Sequence, residues 1–179
     1  MEQLTPDQKP ELTAEGAVEL LNLFERNHIE VTVDGGWGVD ALVGRQTRSH
    51  ADLDIVVRYQ DVGRLRLVLE QNGFRDVPRP DTREVNFVMG DKHGRQVDIH
   101  TYTLDRRHHP EQGLDYPLDS LNGRGSILGH AVKCIDAENM VRFHSGYELD
   151  ENDYHDVKVL CKKFGITMPE EYNRFETGS

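Results

Sequence analysis

The amino-acid sequence predicts an α+β fold, in which a mixed β-sheet flanked by helices is followed by a mostly helical C-terminal part. Several short stretches alternate apolar and polar residues, which is the period of a half-buried strand. Other stretches carry apolar residues at helical spacing. The composition changes near residues 105–115, where Gly, Pro and Asp accumulate. We therefore expect a core at residues 1–110 and a second part at residues 111–179.

The first predicted elements lead to a pair of glycines. Thr13 can cap a helix whose apolar face follows the helical spacing; that face consists of Ala17, Leu20, Leu21 and Phe24. Residues 29–33 then alternate as a strand, which the glycine pair ends. A short helix over residues 37–43 should follow, because Gly44 can terminate it.

The remaining elements are predicted from the same two periods. They are a strand at 52–58, a helix at about 61–72, antiparallel strands at 83–90 and 95–104, and loops or a short hairpin at 105–130. Two helices complete the chain, one capped by Asp136 and one beginning near Asp150. The expected buried stripe of the last helix is Tyr154, Val157, Cys161 and Phe164.

Composition excludes several classes of protein. The chain has 179 residues, 36% of them hydrophobic, and a formal net charge of −11. No apolar stretch approaches the roughly 20 residues that span a bilayer, and a surface this acidic disfavours nucleic acid. The two cysteines form no CxxC pair, which argues against a disulfide framework or a structural zinc site. We expect a cytoplasmic protein that binds neither nucleic acid nor membrane.

Three aspartates are candidates for a metal site. Asp52 and Asp54 project to the same face of their predicted strand, roughly 7 Å apart along the chain. Asp98 has the corresponding place on the strand at 95–104, so the three carboxylates converge if the two strands are neighbours. Such carboxylates repel one another and raise one another's pKa, and a bound divalent cation would relieve this repulsion. Ligation by oxygen alone suits Mg²⁺. The alternative is that these strand aspartates merely face solvent.

The glycine pair is a candidate for phosphate binding. Gly35 and Gly36 stand between a predicted strand and a predicted helix, where backbone N–H groups can approach an anion without a Cβ in the way. Arg48, in the connection to the aspartates, could neutralise the charge of a triphosphate. The alternatives are a tight turn and a solvated arginine.

The order of these features resembles the nucleotidyltransferase superfamily of DNA polymerase beta type, whose signature is a glycine pair followed by Asp-x-Asp. The stretches DGGWGVDALVGRQTRSHADLDI, VDIH and FHSGYELDENDYHDVKVL together resemble the lincosamide nucleotidyltransferases. The related aminoglycoside 2″-nucleotidyltransferases share a weaker version of the first stretch. The resemblance implies the nucleotidyltransferase fold and an enzyme that transfers AMP from ATP to a hydroxyl of an antibiotic, with a lincosamide favoured.

The resemblance also implies catalytic and metal-binding roles. Asp52, Asp54 and Asp98 would bind Mg²⁺, with two ions expected. Asp98 could also help to deprotonate the acceptor hydroxyl, because it would lie beside the ion that binds that oxygen.

Nucleotide binding would fall to the glycine pair, assisted by Arg48. His50 shares the face of Asp52 and could orient an aspartate or touch phosphate; a structural hydrogen bond is the alternative. Trp37 could stack on a base or serve as a packing anchor.

Four residues are candidates for the acceptor pocket: Glu84, His100, Tyr102 and Asp156. His100 and Tyr102 share the face of Asp98. Glu84 could bind the acceptor or act as a second base, or it could be an exposed strand acid. Asp156 could reach towards a cationic substrate amine.

Two alternative functions stay open at this point. An aminoglycoside acceptor suits the acidic balance, because such antibiotics are polycations. A nucleotidyltransferase-like antitoxin or protein-modifying module would keep the fold and act on a protein partner. The partners expected on the leading hypothesis are an antibiotic and a nucleoside triphosphate, and the sequence leaves a homodimer open.

Overall fold

One mixed β-sheet connects most of the chain in the computed structural model, which describes residues 10–176. Its strands are β1 (Val31–Val33), β2 (Leu53–Arg58), β3 (Arg75–Asp76), β4 (Asn86–Gly90), β5 (Gln96–Tyr102), β6 (Gly123–Ile127) and β7 (His130–Cys134). The α-helices are α1 (Ala14–Arg26), α2 (Gly35–Val43), α3 (Val62–Gln71), α4 (Ala137–Phe143), α5 (Glu151–Phe164) and α6 (Asn173–Glu176). The predicted α+β class is confirmed.

The strand order in the sheet is β3-β4-β5-β2-β1-β7-β6. Strands β2 and β5 are parallel neighbours, as are β1 and β7, and the other pairs are antiparallel. The register places Asp54 directly opposite Asp98. The sequence-based expectation that the two acidic strands are neighbours is therefore correct.

Helix starts follow the predicted caps. The hydroxyl of Thr13 accepts a hydrogen bond from the backbone N–H of Gly16 at 3.1 Å, and Asp136 accepts from two backbone N–H groups of α4. Asp150 and Asp153 form a reciprocal capping box at the start of α5. These contacts satisfy N–H groups that the first turn of a helix leaves unpaired.

The structure corrects the predicted start of α2 and the predicted buried stripe of α5. Helix α2 begins at Gly35 rather than at residue 37, because Asp34 caps it, so the glycine pair forms its first turn. The segment expected to hold loops or a short hairpin does end in a hairpin, β6–β7, which runs on to Cys134 and extends the sheet beyond β1. In α5, Leu160 is buried, whereas the predicted stripe residue Phe164 is exposed. The division of the chain at residue 110 stays a prediction.

Helix α2 is packed tightly between the sheet and the C-terminal helices. It contacts β2, β6 and α5, and Trp37 on this helix is almost completely buried. Trp37 is thus a packing anchor, the alternative that the sequence left open. Along residues 10–176, no helix combines the length and apolarity needed to cross a membrane.

A glycine in β6 tests this packing. A Cβ on Gly125 would lie 2.3 Å from the carbonyl oxygen of Ala41 in α2, so we predict that Gly125→Ala lowers the free energy of unfolding by about 1–3 kcal/mol. The matched control is Gly63→Ala in α3, where no atom lies within 4 Å of the new Cβ and helix propensity should raise stability by up to ~1 kcal/mol. Urea unfolding measures both variants, and equal stabilities would contradict the close contact of β6 with α2.

Candidate active site

Three aspartates meet at the edge where β2 and β5 begin. Asp52 directly precedes β2, Asp54 is its second residue, and Asp98 pairs with Asp54 across the sheet. One carboxylate oxygen from each residue lies within 4.8 Å of the other two. Their convergence follows from the parallel register of two strands that are far apart in sequence.

The electrostatics of this triad are unfavourable without a counter-charge. Burial, Asp52 and Asp98 raise the pKa of Asp54 well above its ordinary value, and burial and Asp98 raise the pKa of Asp52. The guanidinium of Arg79 opposes this at longer range, with nitrogens 3.7 Å from Asp98 and 4.0 Å from Asp52. Oδ1 of Asp98 is buried without a hydrogen-bond donor. An oxygen-only set with an orphaned acceptor fits a hard divalent cation such as Mg²⁺.

Gly35 and Gly36 bring the start of α2 against the triad. Oδ1 of Asp34 accepts from the N–H of Gly35 at 2.8 Å, and Gly35 has the left-handed φ of 57° that favours glycine. A Cβ on Gly35 would lie 2.2 Å from Oδ2 of Asp54. The first-turn amides of α2, which have no partner within the helix, therefore lie beside the carboxylates.

Arg48 lies over the same turn and is held by α5. Its Nε and Nη2 donate to the two oxygens of Asp156 at 2.8 and 2.6 Å, and Nη1 donates to the carbonyl of Ser49. A Cβ on Gly36 would be 2.6 Å from Nη2, so the guanidinium borders the glycine turn. Asp156 is 1% exposed; burial would raise its pKa, but hydrogen bonds from Arg48 and His144 outweigh burial and lower it. A direct contact of Asp156 with a substrate amine would require Arg48 to release it.

His50 belongs to a buried hydrogen-bond network. Its Nε2 lies 2.6 Å from Oδ2 of Asp40, which also accepts from the N–H of Thr47, and His155 lies 2.8 Å from the hydroxyl of Thr47. The other ring nitrogen of His50 faces Gly36, since a Cβ there would lie 2.3 Å from it. The imidazole therefore supports the glycine turn from behind. Asp40 had no sequence signal beyond its place in a short helix.

His100 faces the triad from β5, as its shared face with Asp98 predicts. Nε2 of His100 lies 3.4 Å from Oδ1 of Asp98, and Nδ1 lies 3.0 Å from the hydroxyl of Tyr116. That hydroxyl donates to Oδ2 of Asp34 at 3.0 Å. Tyr116 escaped the sequence analysis because a loop residue carries no periodic pattern. Asp34 was missed because the helix was expected to start at residue 37, whereas it starts at Gly35.

Two predicted acceptor residues lie away from this cluster. Tyr102 lines a separate depression with Arg58 and Tyr59, beyond the other end of β2. Glu84 is exposed and accepts a hydrogen bond from the hydroxyl of Tyr59. Their proposed roles stay predictions, and neither residue lines the cleft described next.

The triad opens into a cleft with two halves. The larger half is a depression of about 570 Å³ between the glycine turn and the C-terminal helices, and the smaller is a depression of about 390 Å³ walled by residues 10–11 and 48–52. Gly36, Arg48 and Asp54 line both halves. Two molecules bound side by side would therefore meet at Asp54.

Residues 17–160 match the family model described as aminoglycoside-2″-adenylyltransferase. The chain belongs to this family. A lincosamide resistance protein of Staphylococcus haemolyticus is 32% identical over 151 residues, which cover 79% of this chain and 89% of that protein. The resemblance inferred from the three sequence stretches is confirmed.

Solved structures of antibiotic adenylyltransferases share the fold. The lincomycin-bound lincosamide antibiotic adenylyltransferase LnuA has a TM-score of 0.73 and 30% identity, covering 88% of this chain and 99% of LnuA. ANT(2″)-Ia in complex with adenylyl-2″-tobramycin has a TM-score of 0.69 at 19% identity, covering 92% of this chain and 94% of that one. The predictions of the nucleotidyltransferase fold and of a nucleotidyltransferase enzyme are confirmed.

The bond between Arg48 and Asp156 predicts a pH-dependent stability. Asp156→Asn should lower the free energy of unfolding at neutral pH by on the order of 3 kcal/mol, because the half-buried guanidinium of Arg48 loses its charged partner. Folding lowers the pKa of Asp156. Its ionised form therefore stabilises the fold above the unfolded-state pKa of about 3.9, and this contribution is lost as the pH falls through the lower folded-state pKa.

Urea unfolding across the acidic and neutral range tests this, and the curves of the wild type and of Asp156→Asn should converge at the acidic end. Asp119→Asn, at an exposed aspartate, is the matched control and should follow the wild type throughout. A difference that stayed constant down to the acid limit would contradict the assigned role of the carboxylate charge.

Proposed function

We propose that the protein transfers AMP from ATP to a hydroxyl of a lincosamide antibiotic. The observation that supports this most strongly is the convergence of Asp52, Asp54 and Asp98 beside a glycine turn, with Asp54 lining two adjacent depressions. Family membership and the lincosamide relatives support the reaction class. The supply of ATP in the cytoplasm is consistent with a cytoplasmic enzyme.

The residues of the triad fit a divalent cation. Asp52, Asp54 and Asp98 would hold Mg²⁺, and the family resemblance suggests two ions. When bound, Mg²⁺ supplies charge stabilisation at the phosphate oxygens of a phosphoryl transfer. The raised pKa of Asp54 and the orphaned oxygen of Asp98 are both consistent with a site completed by a cation.

The smaller half of the cleft suits the nucleotide. Gly36, in the first turn of α2, lines this half, and the helix dipole favours negative charge at this end of α2. Arg48 is fixed by Asp156 at the border of the turn, so its guanidinium is pre-organised for phosphate oxygens. His50 supports the turn through its contact with Gly36. Together these groups would place the α-phosphate of ATP over the aspartates.

The larger half of the cleft suits an acceptor with an apolar side. Leu114, Tyr116, Phe143 and Tyr147 line it, with Tyr116 and Phe143 in an edge-to-face contact. Aromatic walls of this kind bind sugar and hydrocarbon faces by excluding water.

Apart from the triad residue Asp54, the acids that line the larger half already have partners, which disfavours a polycation. Asp156 holds Arg48, Asp153 closes the capping box of α5 and accepts from Tyr147, and Asp115 is exposed 3.3 Å from Arg106. Arg142 adds a positive charge to the lining. A lincosamide carries a single amine and therefore needs fewer free carboxylates in this pocket than an aminoglycoside does.

In the proposed reaction the acceptor oxygen attacks the α-phosphorus of ATP. A new bond forms between the acceptor oxygen and the α-phosphorus. The bond between the α-phosphorus and the oxygen that bridges to the β-phosphate breaks, and pyrophosphate leaves. Asp98 is the supported candidate to take the hydroxyl proton, because its carboxylate belongs to the triad and its Oδ1 has no hydrogen-bond donor among the described residues. Glu84, in contrast, accepts a hydrogen bond from Tyr59 away from the triad. Positioning and charge stabilisation would supply most of the acceleration.

An aminoglycoside acceptor is the second candidate, supported by the net charge of −11 and by the family model. The larger depression favours the lincosamide for the reasons given above. Retention of all three acids supports catalysis over a non-catalytic binding module. A homodimer stays a prediction.

The acceptor assignment predicts a specific reaction. With MgATP, lincomycin should stimulate pyrophosphate release and gain the mass of one adenylyl group, whereas tobramycin should do neither. A phosphate-detection assay with pyrophosphatase and mass spectrometry of the antibiotic measure this. Turnover with tobramycin alone would favour the second candidate, and turnover with neither antibiotic would contradict the proposed function.

Asp54→Asn separates chemistry from folding in the same assay. The variant should lose at least about 1,000-fold in turnover if charge at the triad stabilises the transition state. Its metal-free melting temperature should equal or exceed that of the wild type, because an unfavourable buried charge is removed. Asp119→Asn is the charge-matched control, and near-normal turnover of Asp54→Asn would contradict the metal site.

A further inference from the structure

Tyr116 joins two parts of the site that lie on different elements. Its hydroxyl contacts both Oδ2 of Asp34, the cap of helix α2, and Nδ1 of His100 on β5, each at 3.0 Å. The ring packs edge-on against Phe143, with centroids 5.7 Å apart. The N–H of Leu114 donates to the carbonyl of Thr101 at 2.8 Å and fastens this loop to β5. The hydroxyl is therefore fixed in position from several sides.

The hydrogen positions along the series of Asp34, Tyr116 and His100 follow from a count of donors and acceptors. Both oxygens of Asp34 accept, one from the N–H of Gly35 and one from Tyr116, as befits a carboxylate. A phenol hydroxyl has a single hydrogen, and Tyr116 donates it in the hydrogen bond to Asp34. Burial, followed by Asp34, raises the pKa of Tyr116, so the phenol keeps that proton. The oxygen of Tyr116 can then only accept from His100, and Nδ1 of His100 must carry a hydrogen.

The other nitrogen of His100 is turned towards the reaction centre. Nε2 lies 3.4 Å from Oδ1 of Asp98, the carboxylate oxygen without a hydrogen-bond donor. His100 and Tyr116 both line the larger half of the cleft, together with Asp54. A hydroxyl bound between Nε2 of His100 and the triad would lie at the junction of the two halves.

We propose that Tyr116 is a positioning residue, which fixes the imidazole of His100 so that its Nε2 binds the acceptor hydroxyl beside Asp98. The contact assigns His100 to the acceptor rather than to the nucleotide, and it rests on the proposed function. The link from Tyr116 to Asp34 makes the orientation of His100 depend on the cap of the phosphate-binding turn. The loop that carries Tyr116 would thus couple the two substrate sites.

A spectroscopic experiment tests the positioning without any turnover. In metal-free protein with ¹⁵N-labelled histidine, long-range ¹H–¹⁵N correlation spectra report which ring nitrogens carry hydrogen. The chain has nine histidines, and His100→Gln assigns the signals of His100. We expect a protonated Nδ1 in the wild type, and in Tyr116→Phe a shift of Nδ1 towards the unprotonated type. An unprotonated Nδ1 in the wild type, or identical spectra for the two proteins, would overturn the proposal.

A kinetic experiment tests its consequence. With lincomycin as acceptor, Tyr116→Phe should lower kcat by about 10- to 100-fold, as expected for a misplaced reacting group, while the KM for MgATP stays within about twofold. Tyr154→Phe is the matched control, because it removes the phenol hydroxyl of a residue that packs against Tyr172 and Phe175 and lines neither half of the cleft. An unchanged kcat would overturn the proposal. So would a KM for MgATP that rises in step with the loss of kcat, since Tyr116 would then act through Asp34 on the nucleotide.

The two experiments separate this inference from the proposed function. If no antibiotic is adenylylated, the proposed function fails, and the spectra still decide whether Tyr116 holds His100. If lincomycin is adenylylated normally by Tyr116→Phe, the proposed function stands and the role of Tyr116 is refuted.

Discussion

Mutual repulsion among three carboxylates is the constraint on which the rest of this structure depends. Asp52, Asp54 and Asp98 are held together by the parallel register of β2 and β5, although each ionised side chain disfavours the others. A bound cation would offset the electrostatic repulsion that such a cluster of carboxylates imposes on the folded protein. The electrostatic cost of holding the three carboxylates together is therefore the physical basis of the chemistry proposed for the triad.

The helices around the triad place backbone and side-chain groups close to it. Asp34 caps α2 so that its first turn lies against Asp54, and only glycine fits there. Helix α5 contributes Asp156, which fixes Arg48 at the border of the same turn. The C-terminal part would thus serve the proposed nucleotide site as well as the proposed acceptor site. Two sets of hydrogen bonds, one through Asp34 and one through Asp156, would position the two substrates.

The sequence predicted the features that depend on local pattern. The acidic strands, the caps at Thr13, Asp136 and Asp150, and the placement of His100 beside Asp98 all follow from a period of two or from residue preference. The partners that close the site could not be predicted in this way. Asp156 meets Arg48, and Tyr116 meets Asp34 and His100, across long stretches of chain whose relative placement only tertiary packing determines. The β6–β7 hairpin was predicted only as an alternative to loops, because the two glycines of β6 weaken its alternation.

The most direct test of the central claim is crystallographic. Crystals grown with Mn²⁺ and a non-hydrolysable ATP analogue should show anomalous density ligated by Asp52, Asp54 and Asp98. The triphosphate should lie on the amides of Gly35 and Gly36, next to Arg48. Manganese bound elsewhere, or a triphosphate located away from the glycine turn, would contradict the account of this site.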